Sequence, residues 1–203
     1  MGHELADRIA KHYELHALAW DADRRRIGWD DRPWLDLFAG ALPLGGTVLD
    51  LGCGGGDPVA AMLAGRRFRV TGVDAAPTLA GLCRERMPAQ EWIVADMRGL
   101  ALGRVFDGVL AWDSFFHLTP DDQRAMFAVF ARHTAVGGHL LFDGGPAAGE
   151  AIGAYRGDPL YHASLSGEDY AALLAEANFL IVEHRVEDRA WGGRTAWLAR
   201  RDR

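Results

Sequence analysis

Apolar residues recur with two different rhythms along this chain. Leu5, Ile9, His12/Tyr13, His16/Ala17 and Trp20 fall at helical spacing, which predicts a helix over 5–20. Residues 21–32 are polar and read as loop. Pro33 opens a short helix to residue 38, with Trp34, Leu35 and Phe38 inward. Short apolar runs then predict strands over 47–50, 69–74, 91–95, 106–112 and 139–143. Between them lie helical stretches over 58–64, 77–86 and 120–134, the last with Thr119 as N-cap and Pro120 at its first position. Strands and helices alternating at this interval make right-handed βαβ units and a parallel sheet. The end of the chain differs. Ser166 caps a helix to residue 177, and runs over 179–187 and 194–200 flank Gly192-Gly193, which predicts an antiparallel hairpin.

Residues 144–165 fit neither rhythm. A long aperiodic segment in a compact domain is often a functional lid. Here it leaves the carboxyl end of the fifth strand, the edge where open α/β sheets bind ligands. The expectation is a lid loop over a substrate.

Composition narrows the classes. The 203 residues match one domain, with 49% hydrophobic and 25% charged residues. A net charge of −6 argues against a nucleic-acid binder, which carries a basic surplus. The basic cluster Arg24–Arg26 has Asp21 and Asp23 beside it and reads as a solvated face. No run approaches a membrane span, and no Cys/His spacing resembles a zinc site. Two cysteines, one of them inside a glycine turn, fit a reducing cytoplasm. No internal repeat or second domain is visible.

The chemistry concentrates in Val48–Pro58, "VLDLGCGGGDP". Glycines stand at 52, 54, 55 and 56. A dinucleotide fingerprint would place its third glycine at the position held by Asp57. With Pro58 at the first helical position, Asp57 reads as the N-cap, where a pyrophosphate would otherwise sit. Asp50 adds a second carboxylate. Such a pocket repels pyrophosphate and favours a cation. A nucleoside bearing an amino group and no phosphate meets both conditions, and S-adenosylmethionine is such a ligand. Asp74, 24 residues after Asp50, ends the second strand and suits a pair of ribose hydroxyls. Asp96 suits an adenine amino group, and Met97 suits the ring.

These residues carry a resemblance. "VLDLGCGGG" (48–56), "VTGVDAAP" (70–77), "IVADM" (93–97), "FDGVLAWDSFFHL" (106–118) and "LLFDGGP" (140–146) resemble the class I S-adenosylmethionine-dependent methyltransferases. The resemblance implies an α/β, Rossmann-like three-layer sandwich: a seven-stranded, mostly parallel sheet with an antiparallel C-terminal hairpin strand. It implies one domain over 1–203, divided into an N-terminal helical cap (1–43), a cofactor-binding core (44–143), the lid loop (144–165) and a C-terminal helix and hairpin (166–203). It also implies roles. Asp50, Gly52 and Gly54 line the methionine end, Asp74 the ribose, Ala75 the adenine edge, and Asp96 and Met97 the base, with Cys53 and Gly56 also binding the cofactor. Ala111 or Trp112 lies under the methyl-bearing sulfur, and Tyr13 reaches the cofactor carboxylate.

Methyl transfer from a sulfonium mainly needs alignment in a dry pocket. A base is required only where the acceptor holds a proton of high pKa. His117, just past the fourth strand, is the first candidate, followed by Tyr161 and His162 in the lid segment. Asp113 and Asp143 end strands where catechol-type relatives hold magnesium. The residue after Asp143 is Gly144 rather than Asn, so no metal is expected. The reading is a methyltransferase that yields S-adenosylhomocysteine and acts on a small-molecule acceptor, and the supply of aromatic residues suggests a flat, aromatic one. It has no nucleic-acid or membrane partner and is a monomer or homodimer. The acceptor atom (O, N, C or S) stays open. The alternative is a non-catalytic regulator of the same fold that binds S-adenosylmethionine or a protein.

Overall fold

The computed structural model describes residues 2–26 and 29–203. Two short helices, α1 (Gly2–Asp7) and α2 (Ile9–Arg24), lead into α3 (Arg32–Ala41). The alternating part follows: β1 (Thr47–Leu51), α4 (Val59–Gly65), β2 (Arg69–Asp74), α5 (Pro77–Arg86), β3 (Glu91–Val94), β4 (Phe106–Ala111), α6 (Pro120–His133) and β5 (Thr134–Gly144). A hairpin of β6 (Gly149–Tyr155) and β7 (Asp158–Ser164) comes next, then α7 (Gly167–Glu176), β8 (Phe179–Asp188) and β9 (Arg194–Arg201).

Seven strands form one sheet in the order β3-β2-β1-β4-β5-β9-β8. Strands β1 to β5 pair in parallel, and β9 runs antiparallel to both β5 and β8. The expected sheet, with its antiparallel last strand, is therefore the observed one. The strand order reverses at β1, which has β2 on one side and β4 on the other, and in such sheets the ligand crevice opens there.

The sheet is buried on both faces, as a parallel sheet must be. Leu49, Val109 and Leu140 face α6 and α7 through Phe127, Phe130 and Leu174. Their chain neighbours Val48, Leu110 and Leu141 face α3 and α4 through Trp34, Phe38 and Leu63. Each fully buried Leu here contributes roughly 1.5–3 kcal/mol. Gly108 lets α3 approach: a Cβ there would meet the Phe38 ring at 2.6 Å. Thr119 accepts from the Asp122 N–H at 3.1 Å and Ser166 from the Asp169 N–H at 3.0 Å, so both read N-caps start their helices.

Several expectations change. The N-terminal helix breaks at Arg8 and continues to Arg24, four residues past its read end. Asp57 does not cap α4. Pro58 holds the N-cap position, the helix starts at Val59, and the Asp57 carboxylate lies 3.4 Å from Arg25. The segment 144–165 is not a loop. Most of it is the β6–β7 hairpin, registered from Gly149↔Ser164 to Tyr155↔Asp158. Arg156 and Gly157 turn it, with φ of 51° and 90°, the left-handed backbone that matches strand twist in a two-residue turn. β6 is exposed almost throughout, so it never needed the apolar alternation by which strands are read.

Candidate functional site

A cavity opens at the carboxyl ends of β1, β2 and β4, enclosing about 1140 Å³ of space not filled by atoms, its mouth included. The glycine turn after β1 makes one wall. Gly52 adopts φ 77°, and a Cβ on it would stand 2.3 Å from that of Ser114, so the turn passes against the chain following β4. Gly54 (φ 55°) has nothing within 4 Å on its Cβ side, so the turn is open there. Cys53 and Gly56 also line the wall. Cys53 and Cys83 are free thiols, and Cys83 donates to the Gly54 carbonyl at 3.1 Å.

Three carboxylates mark the ends of the first three strands or the turn after them. Asp74 accepts from the Gly54 N–H through Oδ2 and the Ala76 N–H through Oδ1, both at 2.8 Å. Burial raises its pKa, and these two bonds oppose the rise. Each oxygen keeps a lone pair for a further donor. Asp50 is only 2% exposed, and no donor among the described residues bonds its carboxylate. Burial, with Asp74 nearby, pushes its pKa up to about 7. Asp96 is already engaged. Although burial raises it, Arg98 at 2.7 Å holds its carboxyl below the usual range. Ala75 and Met97 line the cavity beside these groups.

Helix α2 makes the opposite wall through Tyr13, Trp20, Asp21 and Arg24. Glu14 ties it to α5 by accepting from the Thr78 N–H at 3.0 Å and hydroxyl at 2.7 Å. Arg86 bridges it to the glycine turn, donating to Asp21 at 2.5 and 2.6 Å and to the Gly55 carbonyl at 2.9 Å. The hairpin holds its outer side: His16 lies 2.7 Å from Asp158, and Asp23 accepts from the Tyr155 hydroxyl at 2.8 Å.

At the β4 end, His117 is 4% exposed and lines the cavity. Its Nε2 lies 2.7 Å from the Tyr13 hydroxyl and its Nδ1 lies 2.8 Å from the Tyr161 carbonyl. Burial pulls its pKa down to about 3, against the bond to Tyr161. Burial, with Asp113 and Asp74 nearby, raises that of Tyr13. Trp112 lines the cavity with its indole N–H donating to Asp31 at 3.0 Å.

Other expected residues lie elsewhere. Ala111 is fully buried in the core beside Val109 and Phe142 and lines no part of the cavity, because it points to the other face of β4 from Trp112. The Tyr161 side chain packs beside Ala6 and Ala163, with its hydroxyl donating to Glu150 at 2.8 Å. Only its backbone reaches His117. His162 stacks on Phe116 and faces a second hollow between the hairpin and β5. Asp113 and Asp143 do meet, but Arg194 lies between them, at 2.5 Å from Asp113 and 3.3 Å from Asp143, and no metal-binding group occurs among the described residues. Arg24 is not a solvated residue: its side chain is 15% exposed and pairs with Asp113 at 3.0 Å inside the cavity. Nothing local marks Arg24, because its partner is 89 positions away.

A family model described as "Methyltransferase domain" matches residues 48–138. That stretch, from β1 into β5, is similar to the methyltransferase domain family. The trans-aconitate 2-methyltransferase of Azoarcus sp. (strain BH72) is 33% identical over 127 residues, 55% of this chain and 49% of that protein. The match thus spans about half the length of this curated relative. Solved methyltransferase structures share the fold. The Burkholderia thailandensis 1,6-didemethyltoxoflavin-N1-methyltransferase, with bound 1,6-didemethyltoxoflavin and S-adenosylhomocysteine, superposes with a TM-score of 0.78 at 21% identity. The likeness covers 100% of this chain and 91% of that one. An amino pentose methyltransferase from Micromonospora echinaspora, bound to S-adenosylmethionine, gives 0.69 at 23% identity, covering 91% and 96%.

Proposed function

We propose that this chain is an S-adenosylmethionine-dependent methyltransferase acting on a small-molecule acceptor. The observation that carries the reading is Asp50, a nearly buried carboxylate that faces the cavity with no donor from the described residues. An unpaired buried carboxylate is costly, and a cationic ligand relieves that cost. The residues present fit the cofactor. Asp50 and the open glycine turn suit the ammonium end, and Arg24, which also pairs with Asp113, suits the carboxylate. Asp74 has lone pairs for the ribose hydroxyls, and Ala75, Met97 and Asp96 surround the place of the base. When bound, S-adenosylmethionine supplies an electrophilic methyl on a sulfonium whose leaving group is a neutral thioether.

The protein's own part is to orient and to exclude water. α2 covers the cavity, and its ties to α5 and the hairpin keep it there. An enclosed site suits a small acceptor better than a polymer, and the Trp20, Tyr13 and Trp112 rings suit a flat one. The relative that methylates trans-aconitate and the neighbour that holds 1,6-didemethyltoxoflavin both support a small acceptor. Free thiols suit a cytoplasmic setting, and no helix among the described residues is long and apolar enough to cross a membrane. Calorimetric titration with S-adenosylmethionine, with NADH as control, tests the reading. Saturable binding of the first alone is expected, and binding of NADH alone would overturn it.

A further inference from the structure

The Tyr13–His117 contact has only one consistent arrangement of protons. The Tyr161 carbonyl 2.8 Å from Nδ1 can only accept, so Nδ1 carries a proton. In the neutral imidazole Nε2 is then a bare acceptor, and the hydroxyl of Tyr13 at 2.7 Å donates to it. The single proton of that hydroxyl is thereby used. Tyr13 has none left for a cofactor carboxylate, and that role falls to Arg24. What Tyr13 presents to the cavity is the lone pair of an oxygen whose own proton points at a base. Both residues line the cavity.

We propose that Tyr13 and His117 form a proton relay, serving an acceptor that attacks through a hydroxyl or a ring N–H. The inference rests on the methyltransferase reading above. As the acceptor heteroatom bonds to carbon, its bond to hydrogen breaks and the electron pair stays on the heteroatom. The proton passes to the Tyr13 oxygen while Tyr13's own proton passes to His117 Nε2. The positive charge lost from sulfur reappears on the imidazolium, which keeps its Nδ1–H on the Tyr161 carbonyl. Charge and atoms balance with no further reagent. A carboxylate acceptor would have no proton to lose and would leave the relay without a task.

The hairpin acquires a role here through its backbone. β7 supplies the carbonyl that fixes which nitrogen is basic. Tyr13 is a catalytic residue in this scheme, and Tyr161 is a positioning residue. His117 is a transient base, since burial disfavours its charged form and it gives the proton up once the methyl has moved. The groups facing His117 are Tyr13 and His12 from α2 and His162 and the Tyr161 carbonyl from β7. None of these is a carboxylate.

Two measurements on the full chain test this. The first needs no acceptor. Nitrogen-15 spectra of the histidine rings at pH 7 should show His117 protonated at Nδ1 alone, with its Nε2 resonance displaced in Tyr13→Phe. Protonation at Nε2 would overturn the relay. The second titrates S-adenosylmethionine, then supplies 1,6-didemethyltoxoflavin as a ring N–H probe and trans-aconitate as a carboxylate probe. The relay predicts transfer to the ring N–H, with kcat lowered roughly 10²–10³-fold in Tyr13→Phe and in His117→Asn. Cofactor affinity should stay within about threefold in both variants. Methylation of the carboxylate at an undiminished rate in both variants would overturn the relay and leave the methyltransferase reading standing. A Tyr13→Phe variant that loses cofactor affinity tenfold would return Tyr13 to the cofactor and also overturn the relay. Absence of cofactor binding in the unaltered protein would overturn both.

Discussion

The two walls of the cavity are built on opposite plans. The sheet-side wall, from the glycine turn and the ends of β1 and β2, holds polar groups with unused capacity: Asp50 has no donor, and Asp74 has one bond on each oxygen. On the α2 side nearly every polar group is already paired within the protein: Tyr13 with His117, His16 with Asp158, Asp21 with Arg86, Arg24 with Asp113. Open valence marks the surface that receives a ligand. Paired valence marks the surface that holds a shape around it. Substitutions on the first wall should therefore be read in ligand affinity, and those on the second in rates and helix mobility, except at Arg24, whose guanidinium pairs with Asp113 inside the cavity and also suits the cofactor carboxylate.

Asp74→Ala should show the largest effect on affinity. It removes the cavity-lining carboxylate and also leaves the N–H groups of Gly54 and Ala76 without their acceptor. Hydrogen bonds to a charged group are worth about 1.5–3 kcal/mol each, so S-adenosylmethionine should bind roughly 100-fold more weakly by calorimetry. Asp74→Asn, which keeps one acceptor oxygen, should fall in between. A change below threefold in the alanine variant would show that this wall is not where the ligand is gripped.

The same contrast explains what could be read without the structure. Asp50, Gly52, Gly54, Asp74 and Met97 stand at strand ends, where a two-residue period and a glycine turn announce them. Each is fixed by neighbours a few positions away or by the adjacent strand. The α2 wall depends on meetings across 104 positions for Tyr13 and His117, and 142 for His16 and Asp158. No local rhythm encodes such distances. Arg24 looked solvated because its immediate neighbours are acidic, and the hairpin looked like loop because β6 buries neither face. Ala111 was one position out of phase: on a strand, the residue beside a cavity-facing one points away. Tyr161 was located near the site, but only its backbone reaches it.

Protonation sharpens the comparison, because Asp50 on the first wall and His117, the partner of Tyr13 on the second, titrate in opposite directions. Asp50 has a folded pKa of about 7, raised by burial. Its neutral form stabilises the ligand-free protein below the ordinary carboxylate range, and that contribution is lost as pH rises toward 7. A cationic ligand favours the ionised form, so its affinity should fall by up to about tenfold per pH unit below 7 and level off above. Asp50→Asn should flatten both curves. His117, pulled down to about 3 by burial, does the reverse. Its neutral form is stabilising above about 6.5, and that contribution is lost as pH falls from there toward 3. Denaturant titrations from pH 4 to 8 on Asp50→Asn and His117→Asn should therefore change slope in opposite senses. Slopes that move together would mean that one of the two environments is misassigned.

The smallest effect belongs to the outer fastening of α2. His16 and Asp158 are 2.7 Å apart, with side chains 14% and 50% exposed. Half-exposed pairs of this kind contribute about 0–1 kcal/mol, so Asp158→Asn should leave global stability nearly unchanged. Its effect should instead appear in how long α2 stays closed. Amide exchange along α2 should quicken, and S-adenosylmethionine should leave two- to threefold faster in stopped-flow displacement. Equilibrium affinity should move about twofold, because the open valences on the opposite wall remain. A tenfold loss of affinity from this one exposed pair would erase the distinction between the two walls, since the hairpin tip would then grip the ligand as firmly as the strand ends do.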